Sequence, residues 1–221
     1  MCQAEGASLQ RGMNYRQNRD YSVILMSRRP NAPYPDRVED EGRTLIYEGH
    51  DVPKSAENPV PKLLDQEPRT PGGSLTQNGL FHEAALLAKR GDRATEPVKV
   101  YEKIKDGIWV FNGVFDLLDA WTQESGGRQV FKFRLEVTDR TFGADQRSVE
   151  QRDLDHTRLI PSSVKLEVWK RDRGRCVLCQ SQDNLHFDHD LPFSKGGTSL
   201  TAQNIRLLCA RHNFAKGANI Q

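Results

Sequence analysis

Cys176-Val177-Leu178-Cys179, Phe187-Asp188-His189-Asp190 and Cys209-Ala210-Arg211-His212-Asn213 are the stretches that decide the fold of the C-terminal part of this chain. Cys-x-x-Cys answered by Cys-x-x-His offers three thiolates and an imidazole, a closed tetrahedral set for structural Zn²⁺ on Cys176, Cys179, Cys209 and His212. A tail of roughly 60 residues is short of apolar core and needs such a staple. Metal ligation supplies on the order of 10 kcal/mol toward folding. Buried free cysteines beside a surface histidine are the alternative, but both half-sites keep the x-x spacing. No thioredoxin-like strand-helix context surrounds Cys176 and Cys179, which argues against redox use. Between the half-sites, Asp188-His189 places an imidazole where it can activate water beside a second metal ion.

Outward from this motif, 221 residues with 36% hydrophobic content suffice for two small domains. No apolar run approaches the roughly 18 residues of a membrane span, and the N-terminus lacks a signal-peptide pattern. A cytoplasmic location of prokaryotic type and no membrane partner are therefore expected. The net charge of +2 is unevenly divided. From Pro161 onward nine basic side chains face five acids, while residues 1–160 carry 23 bases against 25 acids. The basic excess lies with the metal motif, as in modules that meet phosphate, although charge alone is equally a solvated surface.

Upstream, Tyr21 to Met26 and Thr44 to Tyr47 read as buried strands, with a loop from Arg28 to Gly42 between them. Val52 to Gly73 carries five prolines and no periodicity, which marks it as mobile or functional. Leu80, Ala84, Leu87 and Ala88 give Asn78–Lys89 a helical stripe. Val98–Ile104, Ile108–Phe111 and Val130–Val137 read as strands, and Val114–Glu124 as a helix stopped by Gly126-Gly127. Residues 1–145 then form a strand-rich domain with few helices. Residues 146–163 are a linker without apolar periodicity, and 164–221 are the stapled domain, giving an α+β chain.

From about Val164 to Gly217, the Asp188-His189 pair, central Asn204, and Asn213 beside the zinc half-site resemble the HNH (ββα-metal) nuclease family. The resemblance implies phosphodiester hydrolysis, which needs activated water and neutralised phosphate charge. His189 is then the general base, and Asn204 holds its loop. Asp188 and Asn213 are oxygen ligands for a catalytic Mg²⁺ or Mn²⁺. Relatives often close the staple with Cys where this chain has His212. The x-x spacing assigns His212 to zinc and Asn213 to the catalytic ion, with the exchange of those roles as the alternative. Lys195, Arg211 and Lys216 are candidate phosphate contacts. A degenerate domain that only binds is the rival to catalysis.

Tyr21–Ser27, Pro33-Tyr34-Pro35-Asp36 and Leu45–Asp51 resemble the SRA (SET and RING-associated) domain, as do Asn78-Gly79-Leu80, Pro97–Val100 and Val110–Asp116 with Trp121. Phe111-Asn112-Gly113 looks like an altered form of that family's Tyr-Asp-Gly signature. The resemblance, over about Gly12 to Val137, implies a curved sheet or barrel that flips a modified cytosine into a pocket. Tyr34 and Tyr47 are the stacking candidates, and Asp36 the acceptor for cytosine N4, with Arg37 as the alternative in alignment. Glu48 stands at the pocket where relatives often carry a small polar residue. The Pro-rich loop would supply the finger that fills the vacated stack. Together the two parts resemble the SRA-HNH modification-dependent restriction endonucleases. That implies double-stranded DNA with 5-methylcytosine or 5-hydroxymethylcytosine as partner, and restriction of foreign DNA. It also implies a homodimer, because one such site cuts one strand.

Overall fold

Ser22-Val23-Ile24-Leu25-Met26 is apolar without a helical period, and in the computed structural model it is a buried strand. The structure describes residues 5, 9, 11–17, 19–29, 31–40, 43–138, 140, 160–191 and 197–216. The strands are β1 (Met13–Asn14), β2 (Ser22–Met26), β3 (Arg37–Glu39), β4 (Thr44–Glu48), β5 (Glu96–Lys105), β6 (Ile108–Ser125) and β7 (Arg128–Thr138). They form one sheet in the order β1-β2-β5-β6-β7-β4-β3. Only β2 and β5 run parallel. Helix α1 (Gln77–Lys89) lies against this sheet, burying Phe81, Ala84 and Ala85 among Ile24, Val98, Leu117 and Phe133. The Thr76 hydroxyl accepts from Gly79 N at 3.1 Å and caps the helix.

Val114–Glu124 is not a helix. Ile108 to Ser125 run as one 18-residue strand, absorbing the separate strand expected at Ile108–Phe111. The ladder to β7 shifts register between Leu117 and Asp119, leaving Leu118 as an extra residue. That bulge breaks strict alternation and imitates a helical period, and pairing on both sides overrides local propensity. Gly126-Gly127, with φ of +62° and +79°, is the two-residue turn of the β6–β7 hairpin rather than a helix stop. Short β3 lies inside the stretch expected to be loop. The Pro-rich segment is likewise tied down, with a 3-10 turn at Pro61–Leu63 and a buried Gln66. The Gln66 side chain donates to Gly49 O at 2.7 Å and accepts from Phe131 N at 2.8 Å.

Helix α2 (Ser162–Arg171) begins inside the stretch read as linker, because Ile160, Val164 and Val168 bury against Ala202, Ile205 and Leu207. Linker residues 146–159 lie outside the described residues. An antiparallel hairpin of β8 (Leu185–His189) and β9 (Ile205–Cys209) follows, then α3 (Ala210–Lys216). Arg171 fastens α2 to this unit by donating to Ala202 O at 2.6 Å and Ile205 O at 2.7 Å.

The same helix enters the large sheet. Buried Lys165 donates to Glu102 Oε2 at 2.9 Å and Asn112 Oδ1 at 2.6 Å. Glu102, with no exposed surface, also pairs with Arg28 at 3.2 Å. Asn112 is the unpaired residue of a bulge, where the ladder steps from Val100↔Gly113 to Tyr101↔Phe111, and Gly113 takes φ of +110°. The altered signature thus puts an amide at the junction. Burial pushes the Lys165 ammonium below its ordinary pKa, and the Glu102 charge opposes that shift. Lys165→Met, which leaves a buried carboxylate short of a partner, is expected to cost about 3 kcal/mol. Urea unfolding measures the loss, and adding Glu102→Gln should recover part of it.

Candidate functional site

The sulfurs and imidazole of Cys176, Cys179, Cys209 and His212 lie within 4.8 Å of one another and can hold a metal ion. Cys176 and Cys179 come from the turn after α2, Cys209 ends β9, and His212 sits in the first turn of α3. The Cys179–Cys209 sulfurs are 3.7 Å apart, close to the roughly 3.8 Å edge of a tetrahedron with zinc–sulfur bonds of about 2.3 Å. His212 points Nδ1 inward, 3.4 Å from Cys176 Sγ and 3.3 Å from Cys209 Sγ. Burial raises the Cys176 pKa, but backbone N–H groups of Cys209, Cys179 and Leu178 outweigh it and pull the thiol down to about 6. The donor set fits zinc.

Asp188 and His189 end β8. Asn204 binds the following loop from both sides, accepting from Leu191 N at 2.8 Å and donating to Leu191 O at 3.1 Å and Thr198 O at 3.0 Å. His189 Nε2 pairs with Ser199 Oγ at 2.7 Å, a partner no motif announced. Asn213, 7% exposed, lies on α3, which packs on β8. Carboxylate and amide oxygens from Asp188 and Asn213 suit a hard divalent ion.

Lys216 is not a phosphate contact. It is 1% exposed, with Nζ 2.8 Å from Asp188 Oδ2, and it also donates to His189 O. A lysine reads as surface charge until the acid that buries it is known. Arg211 is exposed, whereas Lys195 lies outside the described residues.

In the large sheet, Tyr34 stacks on His50 rather than on Tyr47, with ring centroids 5.2 Å apart and planes 4° from parallel. Lys62 Nζ lies over the Tyr34 ring at 3.8 Å from its centroid, and Asp51 N donates to the Tyr34 hydroxyl at 3.3 Å. Tyr47 is buried in the core, with its hydroxyl 2.9 Å from His50 Nε2. His50 lies in the Leu45–Asp51 stretch, but nothing in that pattern marks it as a pocket residue. Glu48 does not offer its carboxylate to this site. Neighbouring side chains on β4 alternate faces, and that of Glu48 makes a buried pair with Lys132 at 2.7 Å. Only its N–H serves, donating to Asp36 Oδ1 at 3.1 Å. Arg37 turns outward to Glu39 at 2.6 Å.

Burial raises the Asp36 pKa to about 7, against hydrogen bonds from Glu48 N and Ser27 N that lower it. A folded pKa above the unfolded 3.8 means the native state holds the extra proton. Its stabilising effect is present below pH 4 and lost as pH rises through about 7. His50, lowered by burial to about 4, acts oppositely, its contribution being lost as pH falls from 6.5 through 4. Comparing Asp36→Asn with the parent isolates the first effect. The variant should gain thermal stability relative to the parent as pH rises from 4 to 8, measured by melting at each pH.

No protein-family model and no curated protein matches the chain. Several solved structures align with part of it. The SUVH5 SRA domain bound to fully methylated CG DNA is 23% identical, with TM-score 0.41 over 59% of this chain and 75% of that one. KRYPTONITE in complex with mCHG DNA and SAH is 16% identical, with TM-score 0.39 over 63% of this chain and 30% of that one. The DNA modification-dependent restriction endonuclease AspBHI is 19% identical, with TM-score 0.39 over 63% of this chain and 37% of that one.

Proposed function

We propose that this chain is a metal-dependent endonuclease for DNA carrying 5-methylcytosine or 5-hydroxymethylcytosine, with an SRA-type reader and an HNH-type nuclease, serving restriction of foreign DNA. One observation carries the nuclease half. The Asp188-His189 pair sits at a strand end whose following loop is bonded on both sides by Asn204, next to the helix that bears Asn213. Asp188 and Asn213 would hold a divalent cation, which would supply charge stabilisation at the scissile phosphate. His189, held by the contact of its Nε2 with Ser199 Oγ at 2.7 Å, is the general base that takes a proton from water. Arg211, which is exposed, is the proposed phosphate contact.

The reader half rests on Tyr34 as a held stacking wall and on Asp36, whose carboxylate accepts from cytosine N4. Leu63, 74% exposed in the Pro-rich segment close to exposed Val60 and Leu64, is the apolar wedge for the vacated stack. A homodimer supplies the second strand cut.

A second reading, a reader without cleavage, is favoured by the Lys216 ammonium already paired with Asp188. Methylated, hydroxymethylated and unmodified plasmids incubated with Mg²⁺ or Mn²⁺ separate the cases. Cutting confined to the modified plasmids supports the proposal, and equal cutting of all three sinks the reader. Binding of modified DNA with no nicking selects the second reading.

A further inference from the structure

Two groups contact the Tyr34 ring, and they are held differently. Lys62, over the ring, is half-exposed and is shared with Asp51 Oδ2 at 2.9 Å. Asp51 N donates to the Tyr34 hydroxyl at 3.3 Å, so the ring is tied at its far end. The His50 imidazole is stacked on Tyr34, in a space bounded by the Tyr47 hydroxyl and the backbone of Gly12. A Cβ on Gly12 would fall 2.2 Å from His50 Nε2, so the fit leaves no room for a side chain there. The His50 backbone is fixed independently, with its N–H given to Asn78 Oδ1 at 2.9 Å and its carbonyl accepting from Asn78 Nδ2 at 2.8 Å. Displacing the ring therefore calls on its side-chain torsions while the backbone stays tied to Asn78.

Within the modified-cytosine reading above, we infer that His50 is a specificity-determining residue: its imidazole is a resident surrogate for the base, and the flipped cytosine enters by displacing it. A flat ring stacked 4° from parallel, with one edge nitrogen on a hydroxyl, already makes the stack and edge contact that an extruded pyrimidine needs. Entry therefore exchanges one stack for another, and only what cytosine adds is net gain. That surplus is the contact to Asp36 and the burial of its C5 substituent. The protein competent to bind is a fraction of the total, and affinity is reduced by that fraction.

The test is affinity for a duplex with one modified cytosine, measured on the full chain at fixed salt with an unmodified duplex as reference. His50→Ala empties the slot and should tighten binding to the modified duplex about ten-fold, since one stack and one hydrogen bond no longer have to be broken. His50→Phe keeps a ring in the slot and should give less than the alanine gain. Melting curves confirm that each variant is folded, and His50→Ser serves if the alanine variant is not. Weaker or unchanged binding by a folded His50→Ala or His50→Ser, with discrimination intact in the parent, overturns the surrogate role alone. If the parent fails to discriminate, and Tyr34→Ala and Asp36→Ala change nothing, the base-pocket reading falls and the surrogate role falls with it.

Discussion

His189→Ala is expected to slow cleavage of modified DNA by about 10²- to 10⁴-fold, the usual contribution of a positioned general base. The effect belongs in the chemical step, so it should appear in single-turnover nicking and leave DNA affinity unchanged. The ring is oriented through Nε2 by Ser199 at 2.7 Å, and its loop is held by three hydrogen bonds to the Asn204 side chain. Ser199→Ala should therefore give a smaller loss, because the imidazole remains while its orientation is less firmly set. Asn204→Ala should approach the His189 effect by releasing the loop. Cleavage that persists in His189→Ala at the parental rate removes His189 from the mechanism.

Stripping the metal with a strong chelator, or replacing Cys209 by Ser, should unfold the β8–β9–α3 unit while the seven-stranded sheet survives. The two parts draw on separate cores. Among the described residues, Leu208 and Leu185 join Cys176 and Cys209 around the ligands, and the rest of the unit's core is the small cluster of Ile160, Val164, Val168, Ala202, Ile205 and Leu207. The sheet has its own cluster from Met13 to Leu135, which shares no residue with that one. Metal binding worth on the order of 10 kcal/mol matches the whole stability of a typical domain, so its loss is not survivable locally. Amide hydrogen exchange provides the readout. Protection at Leu207 and Leu208 should vanish on chelation while that at Val98, Phe115 and Phe133 persists. Undiminished protection at Leu207 and Leu208 would rule out a structural metal.

What was legible in the sequence depended on how locally its cause was encoded. The four ligands announced themselves because tetrahedral geometry demands paired spacing, and the structure brings those atoms within 4.8 Å of one another. Strand β2 was legible from its apolar run and α1 from its stripe. Strand β6 was not, because the bulge at Leu118 shifts the alternation by one residue and only the partner strand reveals it. Lys216 and Glu48 misled for a shared reason. A charged side chain is read as surface or site until its buried counter-ion is known, and Asp188 and Lys132 lie 28 and 84 residues away. His50 sits in a legible stretch but its stacking was not legible, because Tyr34, the ring it lies on, is sixteen residues upstream in the chain.

The Lys165 junction limits how far the two halves can be treated as interchangeable modules. Helix α2 belongs to both, with its apolar stripe in the C-terminal unit and its ammonium inside the sheet against Glu102 and Asn112. A chimaera that transplants the C-terminal unit onto a foreign reader would bury an orphaned lysine unless the recipient sheet offers an acid and an amide at matching positions. Shuffling of such halves between proteins must then carry three residues from distant parts of the chain together, and either half can drift in sequence only as far as the other follows.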